Sequence, residues 1–265
     1  MSPTISVVTA CRNAVSCIDR AICSVEAQGV AGVEYIVIDG ASTDGTAEII
    51  KKHASSIAYW VSEPDQGLTD ALIKGFSRAT GDILCWLNAD DHFEAGAFKQ
   101  VLFAVERAPD AVAWVGAARR RSKGGRPKRV ATPALEGFPG QGVWWKEVRI
   151  PQAACFFSAA AYRKVGGLDS RFNLTMDLDL WLRLAKVGRF EAIPQVLANV
   201  TIDDGTLSGR DPALTMSEAI SAYCVNGHHQ LAARLFEHYA RHEYWKQTLY
   251  RSGPVKALRG WLEPE

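Results

Sequence analysis

A chain of 265 residues with 48% hydrophobic content is long enough for one large domain, or one domain and an appendage, with an ample core. Thirty Lys and Arg against 29 Asp and Glu leave a net charge of +1, which argues against a dedicated nucleic-acid binder and against any partner held by bulk electrostatics. The N-terminus has no charged stretch followed by an apolar one, and nowhere do about 18 apolar residues run together, so neither secretion nor a membrane span is expected and the default location is cytoplasmic. The six cysteines, Cys11, Cys17, Cys23, Cys85, Cys155 and Cys224, form no Cys-x-x-Cys pair. They fall mostly in apolar segments, which predicts reduced core thiols rather than a disulfide frame or a zinc site.

In chain order, Ile5 to Thr9 reads as a strand and Ala14, Ile18, Ala21, Ile22 and Val25 recur at helix spacing. Tyr35 to Ile38 is a second strand, and a turn-rich stretch leads to a helix from Thr46 to about His53, with Asp44 or Thr43 available as its cap. A strand near Ile57 to Val61, a helix from about Thr69 to Ala79 and a strand from Ile83 to Leu87 continue the rhythm. Such alternation predicts an α/β fold with a mostly parallel central sheet flanked by helices on both faces.

Two strand ends carry the chemistry. Asp39 closes the second strand before Gly40-Ala41-Ser42-Thr43-Asp44-Gly45, a run without the Gly-x-Gly-x-x-Gly spacing that a dinucleotide site requires. Asp39 is therefore either a cap of the turn or an acceptor for a base N–H. After the fourth strand, Leu87-Asn88-Ala89-Asp90-Asp91-His92 gathers oxygen ligands where open α/β sheets bind their ligands. The paired carboxylates Asp90 and Asp91 suit a hard divalent cation, and a loop capping the next helix is the plainer alternative.

The segments Ser6-Val7-Val8-Thr9-Ala10, Val37 to Thr46, Ser62-Glu63-Pro64-Asp65-Gln66-Gly67 and Leu87 to Asp91, in that order, closely resemble the inverting glycosyltransferases of family 2. The resemblance covers roughly residues 4 to 205. It implies a GT-A fold over residues 1–210, with a nucleotide-sugar half at about 1–92 and an acceptor half at about 93–210, followed by a C-terminal helical extension over 211–265. It also implies transfer of a sugar from a nucleoside-diphosphate sugar to a hydroxyl of a glycan or lipid-linked glycan, by a metal-assisted single displacement with inversion. By resemblance Thr9, Ala10, Arg12 and Asp39 hold the nucleotide, and the Asp-x-Asp metal motif falls on Asn88, Ala89 and Asp90. The first acid of that motif is the neutral Asn88, which leaves Asp90 to hold Mn²⁺ or Mg²⁺. Asp70 and Lys74 fall in a segment that in the family packs beneath the donor, although four residues apart on a helix they are equally an ordinary surface ion pair.

Farther on, Tyr162 to Asp169 reads as a helix end with a glycine turn, and Leu178, Trp181, Leu182 and Ala185 as a buried helix beginning near Asp177. The family keeps its catalytic base here, and with Met176 in place of the usual glutamate the matching acid is Asp177. Residues two apart on a helix lie about 200° apart, so Asp177 and Asp179 cannot both face one site. In the first turn the helix dipole would keep Asp177 ionised, and a merely capping Asp would look the same. The basic run Arg119 to Arg129 reads as a hairpin with a solvated tip, or as a surface for phosphate or lipid phosphate. Gln141 to Gln152, with Trp144 and Trp145, lies where relatives build the acceptor pocket, and Asp203 or Asp204 stands where many carry a histidine metal ligand. Beyond about Asp211, aromatic and basic residues interleave on helical segments that suit a membrane surface, the catalytic domain or the second subunit of a homodimer. Asn88 and Met176 motivate the rival reading of a non-catalytic sugar-nucleotide or glycan-binding module. A nucleotidyltransferase is weaker, since no glycine-rich triphosphate loop is visible.

Overall fold

The computed structural model describes residues 3–122, 127–135, 150–202 and 211–251, with backbone alone for 127–128 and 242–251. Its elements are β1 (Ile5–Cys11), α1 (Ile18–Glu26), β2 (Val33–Asp39), α2 (Thr46–Lys52), β3 (Tyr59–Ser62), α3 (Leu68–Arg78), β4 (Ile83–Trp86), β5 (His92–Phe93) and α4 (Ala97–Arg107). There follow β6 (Ala113–Ser122), β7 (Pro127–Ala131), a 3-10 turn (Gln152–Ala154), β8 (Cys155–Ser158), α5 (Ala159–Lys164), α6 (Met176–Leu184) and β9 (Phe190–Ile202). Two helices, α7 (Pro212–Val225) and α8 (His229–Arg251), come last.

The strands form one sheet in the order β3-β2-β1-β4-β8-β6-β9-β5, with β7 paired to β6. From β3 to β4 every pairing is parallel, as the alternation predicts. Beyond β4 the sheet is mixed: β8 runs antiparallel to both β4 and β6, β9 parallel to β6, and β5 antiparallel to β9. The basic run does form strands of an antiparallel hairpin, and its tip, 123–126, lies outside the described residues.

All seven residues of β1 and all four of β4 are buried, because helices cover both faces of the sheet. Strand alternation then sorts the side chains into two cores. Ile5, Val7 and Cys11 of β1 pack with Tyr35, Val37, Cys85 and the apolar stripes of α1 and α4. Val8 and Ala10 face the other way, with Ile36, Ile38, Leu84 and Trp86, against α3, α5, α6, α7 and α8. A Cβ on Gly75 would overlap the Val8 side chain, so glycine is what lets α3 lie this close to β1.

The second core is aromatic. Trp86 stacks on Trp181 of α6 with centroids 5.6 Å apart, and Phe76, Phe157 and Tyr162 surround them edge-on or tilted. Such pairs contribute about 0.5–1.5 kcal/mol each beyond the burial of their area. They tie α6 to the end of β4. The C-terminal helices belong to this core as well, through Ala222, Tyr223, Ala232 and Leu235. Of the three roles open to the terminal segment, the described part packs on the rest of the chain. Three cysteines, Cys11, Cys85 and Cys155, are core thiols as expected, whereas Cys23 and Cys224 are exposed.

Candidate active site

At the ends of β1 and β2 two loops are stitched together. Asn13 N–H donates to Ser42 Oγ at 2.7 Å, Ala14 N–H to Thr46 Oγ1 at 2.8 Å, and Val15 N–H to Asp44 Oδ2 at 3.1 Å, while Thr43 N–H donates to Asn13 Oδ1 at 3.0 Å. Asn13 and Ala41 both adopt left-handed backbone, with φ of 51° and 54°. For Ala41, which has no side-chain hydrogen bond to offset it, that conformation costs about 1–2 kcal/mol, and such strain concentrates at functional sites. Asp44 accepts from Thr46 N–H at 3.0 Å, so it serves the first turn of α2 as predicted, although Gly45 occupies the cap position.

Asp39 lies at the centre of this stitching and is fully buried. Its Oδ2 accepts from Ser42 N–H at 3.0 Å and from Ser62 Oγ at 2.5 Å, and its Oδ1 from Ser42 Oγ and the Cys11 thiol. Burial, reinforced by the Asp39 charge, pushes the Cys11 thiol far up, so it is inert. The Thr9 hydroxyl is buried on the α1 face of β1 and accepts from Tyr35 OH at 3.0 Å, because it shares strand parity with Val7 and Cys11. Ala10 projects to the opposite face and has no polar group to offer. Arg12, just past β1, is exposed and makes no ion pair or hydrogen bond with a described residue.

Asp70 and Lys74 form the ion pair that their spacing allows, at 3.4 Å, and Lys74 Nζ also reaches Glu63 at 3.1 Å and the Pro64 carbonyl at 3.1 Å. Asp70 accepts from Gln66 N–H at 3.0 Å. The two side chains thus hold the loop 63–67 on α3. That loop brings the Asp65 carboxylate over Gly40, where a Cβ would collide with it.

After β4, Asn88 is set by Gln152, whose amide donates to the Trp86 carbonyl at 2.7 Å and accepts from Asn88 Nδ2 at 3.3 Å. Asn88 Oδ1 is left without a partner among the described residues. The main-chain oxygen of Asp90 accepts from Arg20 at 2.9 Å and from Thr201 Oγ1 at 2.7 Å. Asp91 is buried, and its oxygens accept from Thr201 N–H at 2.8 Å and from Asn88 Nδ2 at 3.4 Å, so it fastens β9 to this loop. Burial, then the neighbouring Asp90 charge, pushes its carboxyl well above the usual range.

The third component comes from α6. No side chain of its own caps this helix. Instead Glu218 of α7 accepts at one oxygen from Asn173, Leu174 and Thr175 N–H, at 3.0, 2.8 and 3.1 Å. Asp177, half-buried in the first turn, accepts from Leu178 N–H at 2.8 Å and from no side chain among the described residues. Its charge helps to raise the Cys155 thiol, which places it beside the start of β8. Loss of solvation raises the Asp177 carboxyl above its ordinary value, and the main-chain N–H groups of the turn offset this only in part. The expected dominance of the helix dipole is therefore reversed by burial. Asp179 points elsewhere, as the helical angle requires: its Oδ2 accepts from both Nε and Nη2 of Arg183, at 2.9 and 2.5 Å, and its Oδ1 from Asn226 Nδ2 at 2.9 Å.

Gln152, Glu218, Arg20 and Thr201 had no local signal in the sequence, since each acts on a residue 44 to 111 positions away. Trp144, Trp145, Asp203 and Asp204 lie outside the described residues, as does everything after 251. No helix among the described residues is long and apolar enough to cross a membrane.

The family model "Glycosyl transferase family 2" matches residues 6–166, a span that ends before α6. An uncharacterized glycosyltransferase of Mycobacterium tuberculosis is 30% identical over 221 residues, covering 82% of each chain. Among solved structures, Staphylococcus aureus TarS 1–349 in complex with UDP superposes with a TM-score of 0.68 at 13% identity, over 96% of this chain and 77% of that one. The mannosyltransferase PcManGT of Pyrobaculum calidifontis, in complex with GDP-Man and Mn²⁺, gives 0.62 at 17% identity over 97% and 83%. At these identities the two structures show the GT-A fold.

Proposed function

The chain belongs to glycosyl transferase family 2, and from that premise we propose that it moves a sugar from a nucleoside-diphosphate donor to a hydroxyl of a glycan or lipid-linked glycan, with inversion. One observation carries the assignment of roles. Of the acids at the strand ends and on α6, Asp39, Asp91 and Asp179 have both oxygens committed to hydrogen bonds inside the protein, whereas Asp177 has one N–H donor and a raised carboxyl.

Asp177 is the base. A carboxylate raised by burial holds a proton more firmly once it has taken it, which favours removal of the acceptor hydroxyl proton as that oxygen attacks the anomeric carbon. Attack from the side opposite the departing diphosphate inverts the centre, and no covalent enzyme intermediate is needed. Such a base contributes about 10² to 10⁴ in rate. The stitched loops after β1 and β2 receive the nucleoside, and Arg12 supplies positive charge at the same strand ends. Asp39 holds the Ser42 turn in shape, and a base N–H reaches it only by replacing one of its serine donors.

The donor set after β4, the Asp90 carboxylate with Asn88 Oδ1, is made of oxygen alone and fits a hard cation such as Mg²⁺ or Mn²⁺. When bound, such a cation would neutralise charge on the leaving diphosphate, an effect worth several kcal/mol. Asn88 for an acid removes one negative charge there, which weakens the cation site without removing it.

The test is a thermal-shift panel of UDP-, GDP-, CMP- and dTDP-sugars with and without Mn²⁺, on wild type and Asp90→Ala. A ligand at about 100 times its Kd stabilises by about 2.7 kcal/mol. The expected result is a metal-dependent shift with one nucleotide class, abolished in Asp90→Ala, accompanied by nucleotide release when acceptor is present. Equal metal dependence in both proteins overturns the role of Asp90. Binding without release under any acceptor overturns transfer in favour of a sugar-nucleotide-binding module, the reading that Asn88 and Met176 otherwise motivate.

A further inference from the structure

A group of metal-ligating side chains outside the strand-end site joins the outer surfaces of α1 and α2. Asp19 and Cys23 sit one turn apart on α1, and His53 follows the end of α2. One carboxylate oxygen, the thiol sulfur and one imidazole nitrogen lie within 4.8 Å of one another. His53 Nε2 is 3.0 Å from Asp19 Oδ1, and Cys23 Sγ is 4.0 Å from Asp19 Oδ2. Glu26, the next acid along α1, takes His53 Nδ1 at 3.0 Å and is itself held by Ser56. None of the four hydrogen-bonds to a residue of the strand-end site.

We propose that Asp19, Cys23 and His53 form a zinc site, with Glu26 orienting the imidazole and water completing the coordination. In tetrahedral zinc, bond lengths of about 2.0–2.3 Å put neighbouring ligand atoms about 3.3–3.6 Å apart. The observed separations lie close enough for small rotamer changes to close on an ion. Two further features are consistent with zinc. Glu26 on Nδ1 can hold that N–H, which leaves Nε2, facing Asp19 Oδ1, as the nitrogen that would bind an ion in place of its proton, the carboxylate–histidine arrangement that supports bound zinc. An ion pair also accounts for the two carboxylates and the imidazole but not for the Cys23 thiol turned toward the other Asp19 oxygen, Oδ2. Sulfur, nitrogen and a single carboxylate select zinc or cobalt over the Mg²⁺ or Mn²⁺ suited to Asp90 and Asn88, so the chain would keep two cations apart by ligand softness. The Cys-x-x-Cys criterion missed the site because its ligands come from two helices.

The test is titration of the full chain with Co²⁺, reading thiolate-to-cobalt charge transfer in the near ultraviolet, a band that an all-oxygen site cannot produce. The expected result is one cobalt per chain, displaced by Zn²⁺, with the band absent in Cys23→Ser. His53→Ala should weaken binding at least tenfold and Glu26→Gln about 10- to 100-fold. Zn²⁺ should raise the thermal midpoint of wild type and not of Cys23→Ser. Cys23 is exposed, so that variant should keep the wild-type midpoint without metal, which separates loss of ligation from loss of fold. No thiolate band in the folded wild type, or a band that survives Cys23→Ser, overturns the proposal.

Discussion

At the ends of β1 and β2 the polar groups are positioned within adjoining strand–loop–helix units, as where Asp39 accepts from Ser42 three residues on and Thr46 Oγ1 receives Ala14 N–H from the adjoining loop, 32 residues away. On α6 the corresponding work is done from afar: Glu218 holds the first turn across 43 to 45 residues, and Asn226 holds Asp179 across 47. The parallel half is a set of short strand–loop–helix units whose loops can be shaped by what lies in them. The mixed half is assembled from segments that meet only after folding. A binding surface can be built locally, whereas the proposed general base stands on a helix whose placement depends on the chain's last described helices.

The largest effect expected from breaking the mixed half is loss of transfer in Asp177→Asn. The rate should fall by about 10² or more while donor binding is retained, as read by kcat against donor Kd. An active Asn variant rejects Asp177 as the base. The same substitution should raise the thermal midpoint at neutral pH. Folding raises this carboxyl's pKa, so folding disfavours its charged form, and the native state loses stability as pH rises through the folded value. For the same reason the acidic limb of the transfer rate should lie above the ordinary carboxylate range; a limb at or below that range contradicts the raised base.

Glu218→Ala comes next. It strands three main-chain donors before α6 and should cost about 1–3 kcal/mol of stability by denaturant midpoint. It should also lower kcat with little change in donor KM, and Glu218→Gln, which keeps an acceptor, should recover part of both. A fall in donor affinity with kcat intact would erase the proposed division between halves. In the parallel half Ser42→Ala removes a donor to Asp39 and an acceptor for Asn13 N–H. About 1 kcal/mol there should appear as roughly fivefold weaker donor binding with kcat preserved. The smallest effect is expected from Lys74→Met, since the side chain is engaged with Glu63, Asp70 and Pro64 in an exposed cluster. Its donor affinity and midpoint should match wild type, and a tenfold loss of affinity would instead make Lys74 a donor ligand.

Much of the fold was legible because its signals are local. The four parallel strands and their helices follow from apolar periodicity, and Asp39, Asn88 and Asp90 stand out because strand ends are where an open sheet meets solvent. Strand parity alone could have placed Thr9 on the face of Val7 rather than that of Val8 and Ala10. Nothing local, in contrast, separates Asp90 from Asp91. Which of two adjacent acids is buried depends on where β9 arrives, 110 residues later.

By itself the sequence determined the class of the sheet, the family and the positions where chemistry collects, since each is written in short-range patterns of burial and turn residues. The tertiary structure alone decided which acids have both oxygens spent on the fold, and that the raised carboxyl of Asp177 keeps a single N–H donor among the described residues. That choice depends on desolvation and on hydrogen-bond donors from distant segments, neither of which exists until Glu218, Thr201 and Gln152 have been brought to the strand ends.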